Sequence, residues 1–379
     1  MRVTSSLETA LTPTAVALGN FDGVHRGHQR VVQPVLNVLA NQKPLLLPPD
    51  VYSWGGNIEP ELLPSKGEGL ALRSGVGKGN AYATVVTFNP HPREFFTGMR
   101  RTLLTPLEEK VVQLRSLGVE QLVLLPFTRE LACLSPNEFV EKILVQQLRC
   151  TLISVGDDFR FGKGRAGSSA DLQAIAASYG VEVLIIPPLL CEDERISSSS
   201  IRQHLLHGDI QKANRLLGRP YSLTGMVVKG QQLGTKLGFP TANLQLPKEK
   251  FLPRQGVYCV RAFIEDSLEK NDCQSEDSFV NAEIDPAINI SPLEVKSPRL
   301  CPISGVMNIG YRPTVDGTTS TVEVHLLDWS GDLYGKTITV TLEEFLRPEQ
   351  KFSSLDALIA QIQADCTAAR AFLQNLRQV

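Results

Sequence analysis

The first 190 residues alternate between short apolar runs and stretches with helical features, and this alternation constrains the fold most. The runs are almost continuously apolar, as in parallel strands that are covered on both faces. Strands that alternate with helices imply a doubly wound, Rossmann-like α/β sheet, which binds ligands at the carboxyl ends of its strands. The predicted strands are Thr14–Leu18, Ala83–Phe88, Gln121–Leu125, Leu152–Val155 and Val181–Ile186.

Two of the intervening helices carry clear start signals. Thr105-Pro106-Leu-Glu108 and Ser135-Pro136-Asn-Glu138 each combine a capping hydroxyl, a proline at the first helical position and a glutamate that closes a capping box. Pro34 falls where the first helix should run. We expect a kink or an early break there, because an interior proline removes a helical hydrogen bond.

From Tyr221 onward the chain reads as a small antiparallel β-barrel. Short runs rich in β-branched residues are separated by turn residues, with no long helix between them. The runs are Tyr221–Val228, Gly256–Phe263, Thr321–Leu327 and Thr337–Leu342. A boundary near Gly218, after the predicted helix Ile210–Leu217, would divide the chain into domains 1–218 and 219–379.

The sequence predicts a helix at the end of the barrel domain. Ser353 can cap it, with Asp356 three residues later. An apolar stripe follows, which we interpret as core packing. Its members are Leu355, Leu358, Ile359, Ile362 and Phe372.

Composition narrows the class of protein. The chain has 379 residues, 42% of them hydrophobic and 21% charged, as in a globular protein with room for two domains. The formal charge of −2 gives no electrostatic indication of a nucleic-acid partner. Neither a membrane span nor a secretory leader is evident. Seven scattered cysteines favour reduced thiols and a cytoplasmic location.

Two segments have neither a helical nor a strand period. Residues 42–80 are dense in glycine and proline, and residues 265–302 are rich in acidic side chains. We interpret both as tolerated surface insertions, with a regulatory or partner contact, or an error in the gene model, as alternatives.

The most informative stretch is Gly19-Asn-Phe-Asp22-Gly23-Val-His25-Arg-Gly27-His28, which follows the first predicted strand. A glycine-rich turn that leads into a helix places both imidazoles beside free helical N–H groups, where an anion is favoured. Imidazoles there can donate to a polyphosphate as charge develops on it. An ordinary βα turn with two surface histidines is the competing interpretation.

A second stretch with anion-binding features is Arg195-Ile-Ser-Ser-Ser-Ser-Ile-Arg202. One serine can cap a helix, others donate outward, and Arg202 offers a planar fork to phosphate. A helix cap without a ligand is the alternative.

The third stretch, Gly230-Gln-Gln-Leu-Gly234-Thr-Lys-Leu-Gly238-Phe-Pro-Thr241-Ala-Asn243, has glycines that permit close approach of backbone to a ligand. Thr241 and Asn243 point to the same side of an extended chain and are neutral oxygen donors of the kind that Mg²⁺ accepts beside phosphates. A glycine-rich loop between strands is the alternative.

Together these stretches resemble the prokaryotic bifunctional riboflavin kinase/FAD synthetase family. The first half carries its FMN adenylyltransferase motifs, and the second carries the Gly-Phe-Pro-Thr-Ala-Asn motif of its riboflavin kinase. Ser199 stands where the family usually has threonine, and Trp329 where it has phenylalanine. Further stretches agree in order along the chain: Thr87–Pro92, Val155–Gly162, Gly218–Tyr221, Asn308–Thr314 and Glu323–Gly335.

The resemblance implies two reactions: phosphorylation of riboflavin to FMN by ATP, and adenylylation of FMN to FAD with release of pyrophosphate. For the kinase it implies Glu323 as base, Thr241 and Asn243 as Mg²⁺ ligands, and Gly234 and Gly238 around the phosphates. For the transferase it implies that His25 and His28 contact ATP, with Ser198, Ser199 and Arg202 opposite. Its further binding residues are Gly19, Phe21, Asp22, Gly23, Gly27, Asp158 and Arg195.

Three alternatives remain open. Other nucleotidyltransferases, such as pantetheine-phosphate and nicotinate-mononucleotide adenylyltransferases, share the His-x-Gly-His motif but lack the barrel. A flavin-binding protein with decayed sites is a non-enzymatic alternative, which the intact His25, His28, Asn243 and Glu323 disfavour. An enzyme with only one of the two activities is also possible. Small-molecule substrates are the expected partners, and the oligomeric state is open.

Overall fold

The computed structural model describes residues 1–40, 81–230, 234, 237–264, 302–314 and 317–376. The predicted insertion 42–80 therefore lies wholly outside the described residues. The insertion 265–302 lies outside them as well, apart from Pro302.

The first half of the chain forms a six-stranded parallel sheet, as predicted from its apolar runs. The sheet strands are β1 (Arg2–Thr4), β2 (Thr14–Leu18), β3 (Tyr82–Asn89), β4 (Gln121–Pro126), β5 (Cys150–Gly156) and β8 (Glu182–Ile186). Their spatial order is β1-β4-β3-β2-β5-β8, with every pair parallel. The chain runs from β2 towards β3 and β4 on one side and later returns to β5 on the other. The topological switch point therefore lies between β2 and β5.

Two short hairpins extend from the sheet region. They are β6 (Arg160–Phe161) with β7 (Gly167–Ser168), and β9 (Leu190–Cys191) with β10 (Glu194–Arg195).

Helices cover both faces of the sheet. Val32 and Val35 of the first helix pack on one face, and Val140 and Leu144 pack on the other. The helices are α1 (Arg26–Ala40), α2 (Pro92–Thr97), α3 (Leu107–Ser116), α4 (Arg129–Cys133), α5 (Pro136–Glu138, continued by a π-helix over Phe139–Gln147), α6 (Ser169–Ala177), α7 (Ser198–His207) and α8 (Ile210–Leu217).

The second half closes into a six-stranded antiparallel barrel, which confirms the predicted fold class. Its strands are β11 (Tyr221–Val228), β12 (Ala242–Gln245), β13 (Gly256–Ile264), β14 (Ile303–Thr314), β15 (Gly317–Leu326) and β16 (Thr337–Arg347). They pair around the barrel in the order β11-β12-β15-β14-β13-β16. The final helix, α9 (Leu355–Asn375), packs outside the barrel through Cys366, Ala369 and Leu373.

One hydrophobic core crosses the border between the two halves. Ile201 and Leu205 of α7 and Leu216 and Leu217 of α8 belong to the same buried cluster as the barrel interior. The cluster also includes Leu104, from the segment before α3. The sheet and the barrel are therefore packed against each other through apolar side chains.

Several local predictions were wrong. Of the kink or early break expected at Pro34, the break does not occur, because helix α1 continues through Pro34 to Ala40. Helix α3 begins at Leu107 without a side-chain cap, whereas Ser135 and Glu138 do form the predicted capping box. The final helix is capped by Ser354, whose hydroxyl accepts from the N–H of Ala357, and Leu355 is 57% exposed. Ile362 and Phe372 of the predicted stripe do pack against the core, beside the buried Cys366, Ala369 and Leu373.

Candidate functional sites

A cavity of about 810 Å³ opens at the carboxyl edge of the parallel sheet, at the switch point between β2 and β5. The turn after β2 forms one wall, and Ser197 to Ser199 at the start of α7 form another. The predicted site residues that line it are Gly19, Phe21, Asp22, His25, Gly27, His28, Asp158, Arg195, Ser198 and Ser199. Gly23 and Arg202 are not among the lining residues.

His25 and His28 form a stacked pair at the cavity wall. Their ring centroids are 3.6 Å apart with an interplanar angle of 15°. The backbone N–H of His28 donates to Nδ1 of His25 over 3.2 Å, which leaves the proton of the neutral His25 ring on Nε2. A side chain at Gly27 would crowd this ring, since a Cβ there would lie 3.2 Å from it.

Both imidazoles are neutral at pH 7. Burial lowers the pKa of His25 to about 4, and burial together with the neighbouring His25 lowers the pKa of His28 well below its usual value. The Nδ1 atom of His28 is buried and has no hydrogen-bond partner among the described residues.

The turn between β2 and α1 is strained. Phe21 and Val24 have φ values of 48° and 41°, in the left-handed region that β-branched and bulky residues rarely adopt. Such strain persists only where surrounding contacts impose it, and it is concentrated at ligand sites.

The Asp22 carboxylate fixes this turn. Its Oδ1 accepts the N–H of Leu104 over 2.8 Å and the N–H of Thr105 over 3.3 Å, and its Oδ2 pairs with Arg202. The hydroxyl of Thr105, predicted as a helix cap, instead accepts the N–H of Gly23 over 2.9 Å. Asp22, Gly23 and Arg202 thus shape the turn, and Arg202 is held behind it.

The start of α7 faces the turn. Ser197 caps the helix, its hydroxyl accepting the N–H of Ser200 over 3.1 Å. The hydroxyl of Ser198 donates to the carbonyl of Asp22 over 2.7 Å. At the cavity mouth Arg195 and Asp158 form an exposed ion pair of 2.5 Å. The free N–H groups of α7 and the two imidazoles therefore border the same space, which suits a polyphosphate.

An aromatic end of the cavity was not predicted from the sequence. Phe88, Phe96 and Phe127 line it, and the Phe127 ring lies 5.7 Å from Phe88 and 5.8 Å from Phe96 in edge-to-face geometry. Phe96 is 70% exposed. Exposed phenylalanines of a short helix carry no motif that distinguishes them in the sequence.

Lys110 was also missed. It is buried, and its Nζ donates to the carbonyl of Asn20 over 2.9 Å, directly behind the strained turn. Burial lowers its pKa. In the sequence it is one lysine on an ordinary helix.

The predicted kinase residues meet on the outer face of the barrel. Asn243 and Glu323 are direct partners across β12 and β15, and Asn308 is the partner of Glu323 across β14. Side chains of directly opposed residues lie on the same face of a sheet. The flanking Val322 and Val324 are buried in the barrel, so this row faces outward. Asn308 was quoted in a motif but not predicted as a site residue.

Two glycines of the glycine-rich stretch, Gly230 and Gly234, lie close to this part of the barrel. A Cβ at Gly230 would overlap the carboxamide of Asn243, and one at Gly234 would lie 3.2 Å from Oγ1 of Thr241. Gly238 has a φ of 86°, which requires glycine in practice. Residues 231–233, 235 and 236 lie outside the described residues.

His325 anchors the far end of the loop. Its Nδ1 donates to the carbonyl of Pro240 over 2.8 Å, and its ring lies edge-on to Phe239 at 5.6 Å. Sequence reasoning placed His325 in a matched motif without giving it a role.

Among the described residues no group of three or more His, Cys, Asp and Glu side chains is arranged to hold a metal ion. The barrel row instead offers the amide oxygens of Asn243 and Asn308 and the Glu323 carboxylate. Such oxygens suit Mg²⁺ that is shared with phosphates. None of the described helices combines the length and apolar character needed to cross a bilayer.

Two family models match this chain. A riboflavin kinase family model matches residues 217–373, and an FAD synthetase family model matches residues 7–47 and 72–200. The chain belongs to the bifunctional riboflavin kinase/FMN adenylyltransferase family. The FAD synthetase match is interrupted within the glycine- and proline-rich segment 42–80.

Relatives of that name span nearly the whole chain. The Escherichia coli K12 protein is 35% identical over 358 residues, covering 94% of this chain and 92% of its own. The Bacillus subtilis protein is 31% identical and covers 96% of this chain and 94% of its own. A crystal structure described as a macrolide-efflux protein from Streptococcus pneumoniae has a TM-score of 0.71 and 26% identity, covering 97% of this chain and 98% of its own. The fold that the two proteins share therefore extends over both the sheet half and the barrel half of this chain.

Proposed function

We propose that this chain makes FAD from riboflavin in two steps, at two separate sites. The barrel phosphorylates riboflavin with ATP to FMN, and the cavity of the parallel sheet adenylylates FMN with a second ATP, releasing pyrophosphate. One observation carries the proposal: a single cavity joins a polyphosphate-binding end, built from His25, His28 and the start of α7, to an aromatic end.

In the transferase reaction an FMN phosphate oxygen attacks the α-phosphorus of ATP. This nucleophile is already anionic, so the site needs no general base and must position two anions and stabilise the developing charge. His25 donates from Nε2, and His28 contacts the ATP phosphates through Nε2, since its Nδ1 is buried. Ser198 and Ser199 and the N–H groups of α7 bind from the opposite wall.

The remaining transferase residues take supporting roles. Once the exposed ion pair between Arg195 and Asp158 opens, the Arg195 guanidinium can donate two hydrogen bonds to a phosphate. Asp158 then contacts substrate near the reacting groups. Arg202 is ion-paired to Asp22 and lies behind the turn, so we assign it to positioning. The glycines 19, 23 and 27 shape the turn.

The aromatic end suits the isoalloxazine ring of FMN. Edge-to-face phenylalanines at Phe88, Phe96 and Phe127 offer a flat apolar partner. With the ring there, the flavin phosphate would point towards the two imidazoles.

In the kinase reaction the 5′-hydroxyl of riboflavin attacks the γ-phosphorus of ATP. Glu323 takes the proton of this hydroxyl. Thr241 and Asn243 hold Mg²⁺, which neutralises phosphate charge when bound. The backbone around Gly234 and Gly238 approaches the phosphates closely. Support comes from the shared row of Asn243 and Glu323 on adjacent strands.

We further propose that domains 1–218 and 219–379 carry the two activities and that the enzyme works in the cytoplasm. The cysteines within the described residues are all free, namely Cys133, Cys150, Cys191, Cys259 and Cys366. Free thiols fit a reducing compartment.

A time course tests the function directly. The purified protein is incubated with riboflavin, ATP and Mg²⁺, and the flavins are separated chromatographically. We expect FMN to rise first and then give way to FAD. FMN as the final product would contradict the transferase assignment, and FAD made only from supplied FMN would contradict the kinase assignment.

A further inference from the structure

Residues of the barrel half contact the segment that holds the turn after β2 in place. The segment Glu249–Phe251 runs beside Leu103 as a short parallel bridge. The N–H of Leu103 donates to the carbonyl of Glu249 over 2.6 Å, and the N–H of Phe251 donates to the carbonyl of Leu103 over 2.8 Å. Backbone from the barrel is thus bonded to Leu103, which directly precedes the two residues whose N–H groups bind Asp22.

A single peptide plane connects Lys250 with Asp22. The Leu104 carbonyl accepts from Nζ of Lys250 over 2.8 Å, and the N–H of Thr105, in the same plane, donates to the Asp22 carboxylate. Because a peptide group is rigid, fixing its carbonyl also fixes its N–H. Donation to the carbonyl also polarises the N–H and strengthens its bond to the carboxylate.

Lys250 is held firmly in this position. Its side chain is 1% exposed and forms an ion pair with Glu109 of α3, whose side chain is 11% exposed. The ammonium group also lies 4.5 Å from the centroid of the Tyr221 ring. Burial lowers the pKa of Lys250 and raises that of Glu109, and the pairing offsets part of both effects.

A second barrel contact reaches the same carboxylate. The Arg202 guanidinium, which pairs with Asp22, lies 5.5 Å from the centroid of the Phe251 ring. Neighbouring residues of the barrel therefore approach Asp22 by two routes, one through the Leu104 carbonyl and one through Arg202.

We propose that Lys250 of the kinase module is a positioning residue for FMN adenylylation, acting through the Leu104–Thr105 peptide on Asp22. Asp22 lies between the two left-handed residues Phe21 and Val24, so its anchoring keeps the strained turn in its phosphate-binding shape. The inference rests on the proposed transferase role of the cavity. Lys250 touches neither substrate, and its effect reaches the reaction through the geometry of the turn.

The decisive variant is the double substitution Lys250→Met with Glu109→Leu. It removes both buried charges together, since one apolar substitution alone would leave the other group without any hydrogen-bond partner, whereas Glu109→Gln still offers the Lys250 nitrogen an amide oxygen. Glu109→Gln keeps the lysine and its bond to Leu104, and Lys248→Met alters an exposed lysine two residues away. Initial rates of FMN formation and FAD formation are measured separately for all three and for the unaltered chain.

We expect the double variant to raise KM for ATP in FAD formation about tenfold or more, with kinase kcat/KM unchanged. Glu109→Gln should stay within about threefold of the unaltered chain, and Lys248→Met should match it. Hydrogen exchange of the peptide 102–106 should be faster in the double variant alone, because the Leu104–Thr105 peptide is no longer held in place for donation to Asp22.

Two results would overturn the proposal: unchanged KM and exchange in the double variant, or an equal loss of both activities together with thermal stability. If the unaltered chain makes no FAD from FMN, the proposed transferase function fails. The exchange of peptide 102–106 still tests the link from Lys250 to Asp22 in that case.

Discussion

At the residue scale, the two proposed sites depend on groups with different protonation requirements. The proposed transferase site holds two imidazoles that burial keeps neutral by lowering their pKa. The proposed kinase base, Glu323, is half-buried and lies on the outer face of the barrel, between Asn243 and Asn308. The sites share no catalytic side chain, so each can be disabled separately.

Two substitutions separate the activities. His28→Ala should lower FAD formation from FMN by at least about 100-fold, because it removes a donor to the ATP phosphates. Glu323→Ala should lower FMN formation by about 100- to 10,000-fold, because it removes the base. Chromatographic rates with each flavin as substrate check both. FAD synthesis at an unaltered rate in His28→Ala would contradict the site assignment.

Folding stability should report the buried state of His25. Its pKa is 6.5 when unfolded and about 4 when folded, so below pH 6.5 the unfolded chain binds the proton more readily. The free energy of unfolding therefore falls as pH falls from 6.5 to 4, by about 3 kcal/mol for this group. Urea unfolding of His25→Asn, whose amide oxygen can still accept from His28, should show a shallower fall. Parallel pH dependence in both proteins would refute this.

At the element scale, the long regular patterns of the sequence predicted the fold well, whereas the predicted helix caps were right at Ser135 and wrong at Thr105 and Ser353. Continuous apolar runs located β2 to the residue, because a buried parallel strand needs apolar side chains on both faces. Capping is decided by single hydroxyls that have other partners available. Thr105 binds the turn at Gly23, and Ser354 caps α9 in place of its neighbour.

The neighbouring serines before α9 provide a matched test. Ser354→Ala should lower the free energy of unfolding by about 1 kcal/mol, since it removes the acceptor for the Ala357 N–H. Ser353→Ala should change it by no more than about 0.5 kcal/mol. Denaturant unfolding of both variants makes the comparison, and equal losses would contradict the cap assignment.

At the scale of the whole molecule, the continuous core makes the two halves interdependent. The sequence predicted both architectures and the motif residues that line the cavity, because these are local patterns. It did not predict the aromatic end of the cavity or the link from Lys250 to Leu104, which joins residues 146 positions apart. Contacts at such separation depend on how the two halves dock, and no local pattern specifies that.

The shared core also predicts cooperative unfolding. Side chains of α7, α8 and the barrel interior form one buried cluster, so neither half can lose its packing without exposing the other. Calorimetry should give a single transition whose van't Hoff and calorimetric enthalpies agree. Two separated transitions would show that the halves unfold independently.

The bridge between Leu103 and Lys250 has a consequence for recombination between relatives. Glu109 and Leu104 belong to the sheet half, whereas the lysine they contact belongs to the barrel half. A chimera that joins this sheet half to a relative's barrel at the border alone would inherit only one side of the contact. Crossovers that preserve FAD synthesis should therefore exchange the segment 102–110 together with the barrel.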